Sequence, residues 1–470
     1  MNRRNFFKNT SLAAVGAAVV PSLAFSQSEI VESFKRNKKA KNIIFMVSDG
    51  MSAGTLNMGD LYLNRKTGVG SHWLQLYKDN KVARALMDMA SASSIVTDSA
   101  AASSSWGGGK RVKNGSLNIG LNGEEHLPIW QKFKKAGKMA GCVTTVPITH
   151  ATPAGFCVYT KSRNSQADIA ENYLDLRFDI MMGGGNEYFD KNKRKDGKDM
   201  YEAFENKGFN VVRTREAMLN VGYDRPILGV FSDEGLPYSI DRESDTNLKE
   251  NMPTLAEMTQ KAIDKMKKHP NGFVLQVEAG KVDWAAHGND IGGLLYDQVA
   301  FDEAIKVAMN FAESNHETLV IITSDHGNAN PGVIYGKNAN DNFDAIQKFT
   351  QTNEWILNGI TNDFTAQQVI ERFEQANKFA ITTGQAQEIL SYYQNIKQED
   401  GLYNARHLPL KLTAEIQKEH ISVGWISQDH SADYTELAVY GPGSHLLKPF
   451  MQNTEMHHLM LQAAEVEDKF

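Results

Sequence analysis

The chain has 470 residues, 41% of them hydrophobic and 23% charged, the composition of a globular protein long enough for a large core. Its formal net charge of -6 argues against a general nucleic-acid binder, which would be basic. Acidic balance leaves anionic substrates open, because bound metal ions can supply local positive charge.

Residues 1–26 read as an export signal. Arg3 and Arg4 lie in a basic start, Leu12–Val20 is apolar, and small residues follow around Ala24 and Ser26. The apolar stretch is too short to span a membrane. Arg3-Arg4 with the following Phe7-Lys8 resembles a twin-arginine signal, and a general secretory signal with incidental arginines is the alternative. Both place the mature protein, 27–470, in the periplasm or outside the cell. From Asn42 apolar runs of strand length recur: Asn42–Ser48, Gly141–Thr145, Asp179–Met182, Ile227–Phe231, Phe273–Val277, Leu319–Thr323 and Leu437–Tyr440. Helical patterns such as Thr254–Lys267 and Tyr296–Phe311 lie between them. This alternation predicts an α/β fold, a doubly wound and mainly parallel sheet with helices on both faces. Between about 338 and 410 polar amphipathic helices follow one another without strands, which reads as an inserted cap subdomain. Cys142 and Cys157 leave two readings open, a single disulfide in an oxidising compartment or two buried thiols.

Chemistry-bearing residues follow the strands. Asp49 comes after the first run; Glu278, then Asp283 and His287, come after the run at 273–277; Asp325 and His326 come after the run at 319–323. His430 precedes the last run. In open parallel sheets ligands bind beyond the carboxyl ends of the strands, so these side chains are expected on one rim. Asp283 and His287 are spaced i,i+4, on one face of a helical turn. Carboxylates with imidazoles suit zinc, and all-oxygen sets suit magnesium. Ser99, within Thr97-Asp98-Ser99-Ala-Ala, is a candidate nucleophile at a helix N-terminus, where free N–H groups favour an anion such as phosphate.

Asp49-Gly, Thr97-Asp-Ser99-Ala-Ala, His150-Ala-Thr152-Pro-Ala, Ser162-Arg163, Glu278…Asp283…His287, Thr323-Ser-Asp325-His326-Gly and His430 occur in the order seen in alkaline phosphatases. The chain resembles that family from about Asn42 to Gly443. The resemblance implies a phosphate monoester hydrolase working through a covalent phosphoserine on Ser99. It implies Asp283, His287 and His430 as ligands of one zinc, and Asp49, Asp325, His326 and the Ser99 oxygen as those of a second. Asp49, Thr152 and Glu278 resemble the magnesium site, and Arg163 the guanidinium that holds two phosphate oxygens. By the same analogy the partners are small phosphate monoesters and a second copy in a homodimer. Two positions depart from the best-known bacterial pattern. His150 stands near the magnesium site where an Asp can occur, and Trp284 follows Asp283 where a Lys or His can occur. A phosphodiesterase, sulfatase or phosphomutase of the same fold is the enzymatic rival. A periplasmic phosphate- or metal-binding protein is the other, and Ser99 separates it from an enzyme.

Overall fold

A strand that is apolar on both faces needs a covering layer on each. The computed structural model describes residues 39–399 and 401–468; the export signal read over 1–26 lies outside them. Ten strands form one sheet: β1 (Asn42–Ser48), β2 (Ala83–Asp88), β3 (Met139–Pro147), β4 (Ile180–Gly184), β5 (Asn210–Val212), β6 (Ile227–Val230), β7 (Phe273–Ala279), β8 (Thr318–Thr323), β9 (Thr435–Tyr440) and β10 (Phe450–Gln452). In space they run β10-β2-β9-β8-β1-β7-β3-β4-β6-β5. Only β9 opposes its neighbours, pairing antiparallel with β2 and β8. The mainly parallel, helix-covered sheet expected from the sequence is therefore present.

Alternation along β1 distributes its side chains between two cores. Ile43, Phe45 and Val47 enter a layer with Trp106, Phe133, Phe156 and Met460. Ile44 and Met46 enter the opposite layer with Met258, Ile263, Leu294 and Phe301. Helices Ser99–Gly107, Ala151–Cys157 and Glu455–Ala464 supply the first layer, and Leu255–Met266 and Ile291–Asn315 the second. Each large side chain buried in these layers contributes on the order of 1.5–3 kcal/mol of transfer free energy. Cys142 and Cys157 are separate buried thiols, and burial pushes both thiol pKa values up.

Among the described residues five helices lie between Ala339 and Ile421, and the last four carry an apolar cluster of their own, including Ile356, Val369, Phe373, Ile389 and Ile416. Two buried or half-buried carboxylates of the main body reach this segment. Asp241 accepts from Thr352 N at 2.8 Å and Thr352 Oγ1 at 2.7 Å, and Asp290 accepts from Asn353 N at 2.6 Å. Among the described residues, no helix is long and apolar enough to cross a membrane.

The order of the central strands positions the site. β8, β1 and β7 are adjacent and parallel, so the residues at their carboxyl ends, Asp325, Asp49 and Glu278, meet at one rim.

Candidate active site

Asp49 directly follows β1, and Asp325 lies two residues beyond β8. Glu278 lies inside β7, one residue before its end, because that strand is longer than its apolar run. All three carboxylates are fully buried. Gly50 turns the chain after Asp49 with φ +67, and a Cβ there would lie 2.4 Å from Asp283 Oδ1. A side chain at residue 50 is therefore excluded both by backbone and by space. Gly50 N donates to Asp325 Oδ1 at 2.9 Å, and Met51 N to Ser324 Oγ at 3.0 Å, which ties the two strand ends together.

Three groups of metal-ligating side chains result: Asp283, His287 and His430; Asp49, Asp325 and His326; and Asp49, His150 and Glu278, each with donor atoms within 4.8 Å of one another. In the first, the imidazole tautomers are assigned by their hydrogen bonds. His287 Nδ1 donates to Gln428 O at 2.6 Å, and His430 Nδ1 to Thr97 O at 3.0 Å. The two Nε2 atoms then face one place, 3.1 Å apart, and 3.4 and 3.5 Å from the Asp283 oxygens. In the second, His326 Nε2 lies 3.3 Å from Ser99 Oγ, 3.1 Å from Asp325 Oδ2 and 3.6 Å from Asp49 Oδ1. In the third, Thr152 Oγ1 donates to Asp49 Oδ2 at 3.2 Å, and Thr144 Oγ1 to Glu278 Oε2 at 2.5 Å.

Polar satisfaction tests whether these residues fit cations. Asp49 Oδ1, Asp325 Oδ2, Glu278 Oε1 and His150 Nδ1 are buried without a hydrogen-bond partner. An unmet buried acceptor costs free energy, and an unmet buried carboxylate more. The three carboxylate oxygens, gathered at one rim, fit divalent ions. Titration behaviour points the same way. Burial, then Asp325, raises the Asp49 pKa well above the carboxylate range, and burial raises Glu278 to about 8. Asp283 is pulled far below that range against its burial, by His287 first. His287 rises to about 9 against its own burial, through Asp283. Without cations, protons have to balance this charge.

Ser99 opens helix Ser99–Gly107 and is 1% exposed. Asp98 caps that helix by accepting from Ala101 N at 2.9 Å. Its other oxygen accepts from Gly115 N at 2.9 Å and from Arg163 Nη1 at 3.1 Å. Arg163 Nη2 donates to His150 Nε2 at 3.0 Å. His150, lowered to about 3 by burial and then by Arg163, is therefore a neutral acceptor on that nitrogen. Trp284 stands edge-on to His150 at 6.2 Å, with Lys281 Nζ 4.7 Å over its ring. It lies beside His150 and brings no charge of its own.

Every residue singled out from the sequence thus lies in one continuous cluster. The sequence reading passed over Ser324, Thr144 and Asn328, whose amide donates to Asp283 Oδ1 at 2.7 Å. Thr144 is the register partner of Glu278 across β3 and β7, a relation that no spacing along the chain carries.

The alkaline phosphatase family profile matches residues 40–466. Alkaline phosphatase 3 of Bacillus subtilis (strain 168) is 30% identical over 471 residues, covering 96% of this chain and 97% of that protein. Alkaline phosphatase 4 of the same organism is 28% identical over 479 residues, covering 98% and 99%. The crystal structure of Thermus thermophilus alkaline phosphatase superposes with a TM-score of 0.84 at 32% identity, covering 92% of each chain.

Proposed function

This chain belongs to the alkaline phosphatase family, a metal-dependent phosphomonoesterase by that membership, and from that premise we propose a phosphoserine mechanism centred on Ser99. The observation that carries the reading is Ser99 Oγ at 3.3 Å from His326 Nε2, amid buried carboxylates that lack partners. Asp283, His287 and His430 would hold one zinc, and Asp49, Asp325, His326 and Ser99 Oγ a second. Asp49, Thr152 and Glu278, beside His150, would hold magnesium. When bound, the ions lower the pKa of the attacking oxygen and stabilise charge on the attacking and leaving oxygens of an in-line displacement.

The chain's own residues orient the substrate. Free N–H groups at the start of helix Ser99–Gly107 and the positive end of its dipole favour the phosphoryl oxygens. Arg163 presents a planar fork that pairs bidentately with two of them, and Asp98 with His150 holds that fork in place. Ser99 Oγ attacks phosphorus, the bond to the substrate's alcohol oxygen breaks, and the alcohol leaves with a proton. Water then cleaves the Ser99–phosphate bond, which releases inorganic phosphate and restores the hydroxyl.

The surroundings complete the reading. The mature protein, 27–470, is exported and pairs as a homodimer by family analogy. Residues 338–410 are an inserted cap, joined to the body through Asp241–Thr352 and Asp290–Asn353.

The test is hydrolysis of a chromogenic phosphate monoester by purified mature protein, with and without a chelator, followed by acid trapping with labelled phosphate. Label on Ser99, absent from Ser99→Ala, is expected. Turnover of the monoester with no label on Ser99 would overturn the covalent step, and faster hydrolysis of a diester would favour a phosphodiesterase.

A further inference from the structure

Two segments far apart in the chain form the group Asp283, His287 and His430. The His287–His430 contact spans 143 residues. One segment is helix Lys281–His287 with its following turn. The other is the loop that ends in a short ladder, where His430 and Ser431 pair with Asn328 and Gly327. Something has to hold these segments at a fixed separation if two Nε2 atoms are to point at one place.

Asn289 sits between them. It is 2% exposed, and its backbone is left-handed, with φ 46. Asn tolerates that conformation better than most residues. Its side-chain amide donates to Ser427 O at 2.8 Å and to Ala286 O at 3.3 Å. One NH₂ group thus bridges the last turn of the first segment and the start of the second. A parallel rung lies beside it, where Gln428 Nε2 donates to His287 O at 3.0 Å. Among the described residues, the hydrogen bonds of this amide go to these two backbone carbonyls and to no candidate ligand atom.

We propose that Asn289 is a positioning residue for the metal held by Asp283, His287 and His430, because its amide clamps the His430 loop to the His287 turn. The proposal rests on the reading that these three residues bind a metal. Backbone conformation alone would ask only for glycine at 289. The clamp asks for a donor as well, and Asn is the residue that meets both demands.

Zinc is titrated into metal-depleted mature protein in competition with a chromogenic chelator, for wild type, Asn289→Gly, Asn289→Asp and His430→Ala. Glycine keeps the left-handed backbone and removes the donor. Aspartate keeps the size but turns an acceptor toward two carbonyl oxygens. Circular dichroism of the metal-depleted forms checks that each is folded. In both Asn289 variants one zinc equivalent is expected to bind about ten- to a hundredfold more weakly, the scale for groups that orient a metal ligand. The other equivalent is expected to be unchanged, which a general loss of stability would not produce. Two equivalents bound as in wild type by Asn289→Gly, with one lost in His430→Ala, would overturn the role of Asn289 alone. Two equivalents retained in His430→Ala would overturn the metal-site reading itself, and the clamp with it.

Discussion

Single side chains decide the chemistry, and each can be removed. Ser99→Ala is expected to lower monoesterase activity by several orders of magnitude while zinc content, read by elemental analysis, stays near wild type. Activity within tenfold of wild type would remove Ser99 as nucleophile. Arg163→Ala loses a bidentate, charge-assisted contact, worth about 1.5–3 kcal/mol for hydrogen bonds to charged groups. Its kcat/KM should fall about ten- to two-hundredfold, with weaker inhibition by inorganic phosphate; an unchanged inhibition constant would sink the assignment. His150 and Trp284 form a linked pair, since the imidazole accepts from Arg163 and faces the indole edge. Exchanging them together, His150→Asp with Trp284→Lys, adds an oxygen ligand and a positive charge. Magnesium and phosphate should both bind more tightly, and titration of each into metal-depleted protein measures it. If neither constant moves, the two residues serve packing alone.

At the scale of elements, the strands that were legible are those buried on both faces. All seven apolar runs became strands of the sheet. β2 escaped because its exposure alternates, with Arg84 and Leu86 outward, and a period of two over six residues is a weak signal beside continuous runs. β5 and β10 have three residues each, too few for any pattern. The site's acids and histidines were legible because parallel strands deliver their carboxyl ends to one rim. Asn289, Ser324 and Gln428 were not, because they act on backbone groups that only folding brings near. The segment from 339 to 421 carries a prediction of its own. Burial, opposed by the Thr352 hydrogen bonds, raises Asp241 to about 7. A carboxyl with a raised folded pKa favours the protonated native state, so its contribution is full below the unfolded value near 3.8 and is lost as pH rises through about 7. Asp241→Asn should therefore melt higher than wild type at pH ~8 and show a smaller decline from pH ~5 to ~8. An unchanged decline would mean that Asp290 and Asp297, also raised by burial, dominate that window.

For the whole molecule, bound ions are expected to be structural as well as chemical. Chelation should abolish activity, and zinc with magnesium should restore it better than either alone, since one group carries two imidazoles and the other two carry two carboxylates each. Active protein without zinc would refute this. Removing ions should also make stability fall steeply with pH. Glu278, raised to about 8 by burial, and His287, raised to about 9 through Asp283 against its burial, both hold protons in the metal-free fold. Both contributions are lost as pH rises through those values, whereas the lowered Asp283 and Asp325 lose theirs only in acid. Melting temperatures from pH ~6 to ~10 should thus diverge between metal-free and metal-loaded protein, and parallel curves would contradict the account. The antiparallel β9 has a bearing on synthesis. It fills the gap between β2 and β8, and His430 precedes it by a few residues. A nascent chain that has emerged as far as residue 420 holds eight of the ten strands, yet its sheet is split and the candidate group Asp283, His287 and His430 lacks a member. Completion of that candidate site is thereby deferred until the chain has grown past His430, and a chain terminated before it would keep the other two groups and lack this one.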